Sequence, residues 1–130
     1  MPLTVQVVTP EREVEVSDDA ELVIARGTEG EVGIMPGHAP LLISLGIGPL
    51  AIVHAGGRRE VLAVDGGFLQ VSRDQVIVLA EFAVSSSEVN VAETSARIED
   101  LKRRIAAEAE ADDLKRQLAR AELVQEIART

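Results

Sequence analysis

Cysteine, tryptophan and tyrosine are absent from this 130-residue chain, and Phe68 and Phe82 are its only aromatic residues. Without thiols there is no disulfide, no thiolate nucleophile and no cysteine-ligated zinc or iron–sulfur centre, a composition that fits a reducing compartment. With two phenylalanines the core must be aliphatic, and binding modes that stack aromatic rings on bases or sugars have almost nothing to work with. Positive charge is also scarce: 13 Lys and Arg against 22 Asp and Glu leave a net charge of −9. Such a surface repels a polyanion, so nucleic acid is not an expected partner. Long apolar runs are missing too. The most apolar stretch, residues 39–55, is broken by Gly46, Gly48 and Pro49 and falls short of a membrane span. The opening Met1-Pro2-Leu3-Thr4-Val5 has neither a basic region nor an apolar core, so no secretory signal is expected.

What the chain does contain is unevenly placed. All 10 glycines and all 5 prolines precede Ser85. A segment that holds every breaker needs many turns, and one without any is free to be helical. This predicts a turn-rich β domain over 1–84 and a helical segment over 88–130. In the first part, β-branched runs at 3–8, 13–16, 22–25, 49–53, 59–64, 68–71 and 75–79 alternate with turn signals. Gly56-Gly57 suits a two-residue hairpin turn, and Arg73-Asp74 is a second, weaker turn signal. Short strands at close spacing, with no helix before residue 85, predict a sandwich or barrel rather than βαβ units.

In the second part, Asn90 is placed to cap a helix, with Glu93 three residues on in the manner of a capping box. Val91, Ile98, Leu101 and Ile105 then recur at helical spacing; Leu114, Leu118 and Ala121 continue one stripe, with Val124 and Ile127 beside it. Between these runs lies Glu108-Ala109-Glu110-Ala111-Asp112-Asp113. Ala and Glu there favour one continuous helix, while Asp112 or Asp113 would cap a second. A hairpin lets the apolar stripes cover one another and part of the β domain; a rod leaves them for another protein.

Candidate chemistry is thin. His38 lies in Gly30-Glu31-Val32-Gly33-Ile34-Met35-Pro36-Gly37-His38-Ala39-Pro40-Leu41, where Pro36-Gly37 fits the centre of a type II turn. Glu31 or Asp65 would be its partner in an acid–base pair, but there is no cysteine and no serine in a nucleophile elbow. A loop histidine that touches a partner is the expected role. His54, before the Gly56-Gly57 turn, is expected to be an exposed strand-end residue, and two histidines in separate elements predict no metal site. The glycines of residues 27–33 lack a phosphate-loop pattern and read as a tight loop between strands; Asp65-Gly66-Gly67-Phe68 reads as a turn or bulge with an aromatic anchor. Lys102-Arg103-Arg104, Lys115-Arg116 and Arg120 form local basic clusters: a solvated face with i,i+4 pairs, or a surface that meets an acidic partner.

The string at 30–41, the later Asp65-Gly66-Gly67-Phe68-Leu69-Gln70-Val71, the opening Val5-Gln6-Val7-Val8-Thr9-Pro10 and the breaker-free charged tail together resemble the epsilon subunit family of ATP synthases over essentially the whole chain. The resemblance implies a β-sandwich of about ten strands followed by a C-terminal α-helical hairpin. It implies a non-catalytic rotor subunit of a proton-translocating ATP synthase, peripheral at the cytoplasmic face of a plasma or thylakoid membrane. The implied partners are the gamma subunit and the c ring, with Glu31, Pro36, Gly37 and His38 at that interface. It also implies a regulatory arm that extends toward the alpha/beta catalytic head and impedes ATP hydrolysis, with Arg103, Arg104, Lys115, Arg116 and Arg120 holding the extended form. Members that bind ATP carry Ile-Asp-x-x-Arg-Ala where this chain has Val89-Asn90-Val91-Ala92-Glu93-Thr94. An amide replaces the carboxylate at Asn90, and at Glu93 an anion replaces the arginine, so weak or absent ATP binding and no cofactor are expected. Two other classes stand beside this one: a free-standing enzyme built on His38, and an adaptor whose helices form a coiled coil, against which the broad apolar stripe counts.

Overall fold

A computed structural model describes residues 2–108 and 110–128. Among these described residues seven strands precede two α-helices: β1 Leu3–Val8, β2 Glu13–Gly27, β3 Gly30–Ile34, β4 Leu41–Ser44, β5 Ile47–His54, β6 Arg59–Ser72, β7 Gln75–Ser85, α1 Val91–Ala107 and α2 Asp112–Ile127. The strands pair in the order β1-β7-β6-β5-β2-β3, β1 also pairs with β2, and β4 lies on β6. The order therefore closes on itself as a flattened sandwich.

Seven strands stand where about ten were expected, because three long ones serve both layers. β2 pairs β1 through Glu13 to Ala20, then turns to β5 and β3. β6 pairs β5 up to Asp65 and β4 from Phe68. β7 lies between β1 and β6 only as far as Leu79. Runs read as separate strands at 13–16 and 22–25, and at 59–64 and 68–71, are thus halves of β2 and β6. The glycine-rich stretch expected as a loop contains β3 instead, and β4 had no counterpart in the sequence reading.

Gly66 and Gly67 mark the corner of β6, with φ of 74° and 104°. They form a bend rather than a turn or bulge: Asp65 opposes Phe82 and Gly67 opposes Ala80 without a register shift. A Cβ at Gly67 would stand 2.0 Å from the Leu79 carbonyl oxygen, so only glycine lets β6 and β7 approach there. The expected turns form. His38 N–H donates to the Met35 carbonyl with Gly37 at φ 84°, as a type II turn requires. Arg73 and Asp74, at φ 49° and 61°, make a tight hairpin. The Gly56-Gly57 hairpin is wider than two residues, closed by His54 N–H to the Arg58 carbonyl.

The sandwich interior is aliphatic, built around Leu3, Val5, Val23, Ile34, Leu50, Ile52, Leu62 and Leu69. A 3-10 turn, Ser86–Glu88, leads to the helices; Ser85 caps it, and Glu88 Oε1 accepts from the Ser85 N–H in a capping box. Asn90 caps α1 as expected, accepting from the Glu93 N–H at 3.0 Å. The rod-or-hairpin alternative resolves as a hairpin. Helical hydrogen bonding stops at Ala107 and resumes at Asp112; Ala109 in that run, and the tail's last residues, Arg129 and Thr130, lie outside the described residues. Neither Asp112 nor Asp113 is the cap of α2: Ala111 holds that position without a side-chain bond, and both aspartates sit in the first turn, where they suit the positive end of the helix dipole.

Two apolar faces on α2 explain how the hairpin docks. Leu114, Leu118 and Ala121 meet Ile98, Leu101 and Ile105 of α1. Leu123, Val124 and Ile127 meet Ala51, Val61, Ala63 and Val84 on the outer face of the second layer. Leu123 was not part of the expected stripe, and Val91, which was, is exposed. Among the described residues no helix is long and apolar enough to cross a membrane.

Candidate functional site: two outer faces and a docked arm

The outer surfaces of the two layers differ in chemistry and in what covers them. On the second layer, register places Ile24, Ala51 and Val61 in one row and Pro49, Ala63 and Val84 in the next. These residues are small or β-branched, which leaves room for α2. A third row, Ile47, Asp65 and Phe82, ends the patch. Arg120 of α2 closes it: its Nε donates to Asp65 Oδ2 at 2.6 Å, and its guanidinium lies 4.5 Å from the Phe82 ring centroid. Asp65 is buried, so the arginine supplies the charge partner that carboxylate needs.

The first layer is left open. Strand alternation turns Val5, Val7, Leu69, Val71, Val76 and Val78 inward and their neighbours outward. One outward row runs Ser44, Phe68, Leu79 and Val8; the next runs Leu42, Gln70, Ile77, Gln6 and Val16. Leu42, Phe68 and Leu79 are 67%, 53% and 56% exposed, and Val16 is exposed as well. Phe68, expected as the aromatic anchor of a turn or bulge, faces solvent, and Phe82 is the ring that packs under the arm. A clustered set of large apolar side chains on one sheet face marks an interaction surface.

The four residues expected at a rotor interface divide between two places. Glu31 is exposed on the edge strand β3 and lines a cleft of about 380 Å³ with Leu42, Ile43 and Ser44. Pro36, Gly37 and His38 form the turn beyond β3, fixed to the β6–β7 hairpin by Gly37 N–H to Asp74 Oδ1 at 2.6 Å. His38 Nδ1 lies 2.6 Å from the Ala39 carbonyl oxygen. Among the described residues no hydrogen bond or ion pair joins His38 to Glu31 or Asp65, so the acid–base pair weighed for it does not form.

The basic clusters also separate. Arg103 and Arg104 are exposed and share Asp100 at 3.6 and 3.9 Å. Lys115 and Arg116 are exposed on α2, and among the described residues no ion pair involves them. Among the described residues, Arg120 is the one of these basic residues with an ion pair to the sandwich. Asn90 and Glu93 line a cleft with Arg12 and Glu88, where Arg12 Nη1 already holds Glu88 Oε2 at 2.8 Å. That bond draws the Glu88 carboxyl below its ordinary range. In the adjoining cleft, of about 310 Å³, Arg97 donates to Gln117 Oε1 and Arg120 to Asp65. Glu93 therefore offers repulsion to a phosphate, and the nearby arginines are engaged.

His54 corrects an expectation. It stands at a strand end, but it is 1% exposed, because β2 crosses over it between the layers. Its Nδ1 lies 2.6 Å from Asp19 Oδ1 and its Nε2 is 3.4 Å from Glu60 Oε1. The histidine bond lowers the Asp19 pKa. Glu15 is adjacent, and burial, followed by the Glu60 carboxylate, raises its pKa against the opposing bond from the Ser17 hydroxyl.

These features define a class: a closed β-sandwich with one face open for docking and the other covered by a helical arm. The family model of the ATP synthase delta/epsilon chain, beta-sandwich domain, matches residues 2–86. The ATP synthase epsilon chain of Brevibacillus brevis is 45% identical over 103 residues, covering 79% of this chain and 77% of that one. The epsilon chain of Acidithiobacillus ferridurans is 38% identical over 129 residues, covering 99% and 89%. A chain in the cryo-EM structure of the Euglena gracilis mitochondrial ATP synthase, described as OSCP/F1/c-ring, superposes with a TM-score of 0.77 at 19% identity over 98% of this chain and 81% of that one, which is agreement in fold. This chain belongs to the ATP synthase epsilon family. It is a non-catalytic subunit, not an enzyme by itself.

Proposed function

We propose that this subunit sits in the central stalk of a proton-translocating ATP synthase, peripheral at the cytoplasmic side of the membrane, and couples the gamma subunit to the c ring. The asymmetry of the two sheet faces carries this reading. The Leu42–Phe68–Leu79 face is apolar and open, as a surface awaiting a permanent partner should be. The turn Pro36–Gly37–His38 and Glu31 add a rigid, partly charged rim for the rotor contacts. Torque transmission needs a stiff body, and a closed sandwich without free central edges meets that need.

Regulation rests on the arm. The hairpin's internal contacts (Ile98, Leu101, Leu114, Ala121) are distinct from its contacts with the sandwich, so it can leave the sheet without unfolding itself. Release costs the Arg120–Asp65 pair and a small apolar patch, a difference that a competing surface can offset. Arg103, Arg104, Lys115 and Arg116 are already exposed, and release frees Arg120 to join them against an acidic catalytic head. ATP binding by the isolated subunit is weak or absent on this reading.

Co-purification with the gamma subunit tests the first claim: full-length protein and residues 1–87 both bind, and Phe68→Ser does not. Failure of the wild type to associate with gamma would remove the rotor assignment. For the arm, the reconstituted enzyme hydrolyses ATP faster when residues 88–130 are deleted; an unchanged rate would remove the inhibitory role.

A further inference from the structure

His54 is held in one orientation by Asp19. Asp19 Oδ1 lies 2.6 Å from Nδ1 and accepts its N–H, which leaves Nε2 as the outward ring nitrogen. That nitrogen is buried, makes no hydrogen bond among the described residues, and faces Glu60 Oε1 at 3.4 Å. A buried ring nitrogen facing a carboxylate without a hydrogen bond is a place where a bound cation would satisfy both groups. Glu15, from the strand that crosses between the layers, brings a second carboxylate. The three ligand atoms, one each from Glu15, His54 and Glu60, lie within 4.8 Å of one another.

We propose that Glu15, His54 Nε2 and Glu60 form a binding site for one zinc-class divalent cation, with Asp19 as the carboxylate that orients the histidine. Ligands about 2.0–2.1 Å from zinc at tetrahedral angles stand roughly 3.3–3.4 Å apart, the separation found between His54 and Glu60. One imidazole with two carboxylates is a borderline donor set that suits zinc better than magnesium, which prefers water and an all-oxygen octahedron. The hydrogen-bonded carboxylate behind the histidine matches how ligating imidazoles are commonly fixed. The cleft beside Glu15 and Glu60, lined also by Arg58 and Ser85–Glu88, gives an ion a path in and a water a place as fourth ligand. Two groups already act on the ligands. The Ser17 hydroxyl donates to Glu15 Oε2, and the exposed Arg58 donates to Glu60 Oε1 at 3.1 Å. Arg58 is thus a built-in competitor of the cation. The ion would pin β2, β5 and β6 at the layer crossing, next to the linker that carries the arm.

The test uses the full chain, stripped with a chelator and titrated with zinc chloride by calorimetry, and with cobalt chloride by visible absorption. One zinc per chain is expected, with no magnesium response and a tetrahedral cobalt band. Glu15→Gln and Glu60→Gln should each weaken zinc at least about tenfold, Asp19→Asn by about 10- to 100-fold, and Arg58→Ala should tighten it. His54→Gln should abolish the cobalt band. Because His54 is buried, the partly exposed Glu15→Gln, checked for native circular dichroism, keeps the test decisive if His54→Gln does not fold. No zinc uptake up to about 100 μM, or equal affinity in wild type, Glu15→Gln and Glu60→Gln, would overturn the site.

Discussion

Arg120 on the second helix and Asp65 at the corner of β6 are 55 positions apart in sequence, yet Nε meets Oδ2 at 2.6 Å. The pair stands on Phe82, directly across the strand from Asp65, so one arginine satisfies a buried carboxylate and a ring face together. It is the polar latch between arm and sandwich.

Removing that latch from the arginine side strands Asp65. Arg120→Ala should destabilise the docked arm by about 1.5–3 kcal/mol, the range of a hydrogen bond to a charged group. Asp65→Asn should cost less, because an amide can be buried without a counter-charge. Hydrogen exchange checks this: amides of α2 should gain exchange in both variants, more in Arg120→Ala, while those of β1 and β7 stay protected.

Phe68 and Leu79 should matter for assembly and not for folding. Both lie outside the core, so Phe68→Ser and Leu79→Ser should leave the unfolding free energy within about 0.5 kcal/mol of wild type. In binding to gamma, the loss at Phe68 should reach about 2 kcal/mol or more, as for a buried interface aromatic. Denaturant melts and pull-down measure the two quantities separately.

Gly67→Ala should be the most damaging small substitution in the sandwich. It adds a methyl group 2.0 Å from the Leu79 carbonyl oxygen at a φ of 104°. A cost of about 3 kcal/mol or more is expected, read as a lowered urea midpoint. Gly37→Ala, at φ 84° with open space around it, should cost about 1 kcal/mol.

Acid should loosen the linker before the sheets. The Glu88 carboxyl is lowered chiefly by Arg12, then by the Ser85 N–H. A carboxylate held below its unfolded value contributes stability above that value and loses it as pH falls through the folded one. Protection of the Ser85 amide should therefore hold at neutral pH and fall below the ordinary glutamate range, about pH 4.3. In Arg12→Ala the fall should move to higher pH. An amide-exchange pH series on both proteins is the measurement.

Local chemistry was enough for much of this molecule. The β-branched run at 3–8 predicts β1 with its ends, Pro36-Gly37 predicts its turn, Asn90 predicts its cap, and the absence of glycine and proline after Ser85 predicts the helices. Where a strand bends without ending, the same rules break it in two: Asp18-Asp19 and Gly66-Gly67 carry turn composition inside β2 and β6 because those strands change layers there. β4 escaped because four residues are too few to show a period.

Composition and pattern, then, fixed an aliphatic β body with a breaker-free helical arm, since those properties depend on neighbours in the chain. Which face of the sandwich stays bare, whether the arm lies against it, and the burial of His54 among Asp19, Glu15 and Glu60 depend on register between strands far apart in sequence. A shift of one residue in that register exchanges inside for outside, and nothing in a single strand's sequence states which partner it meets.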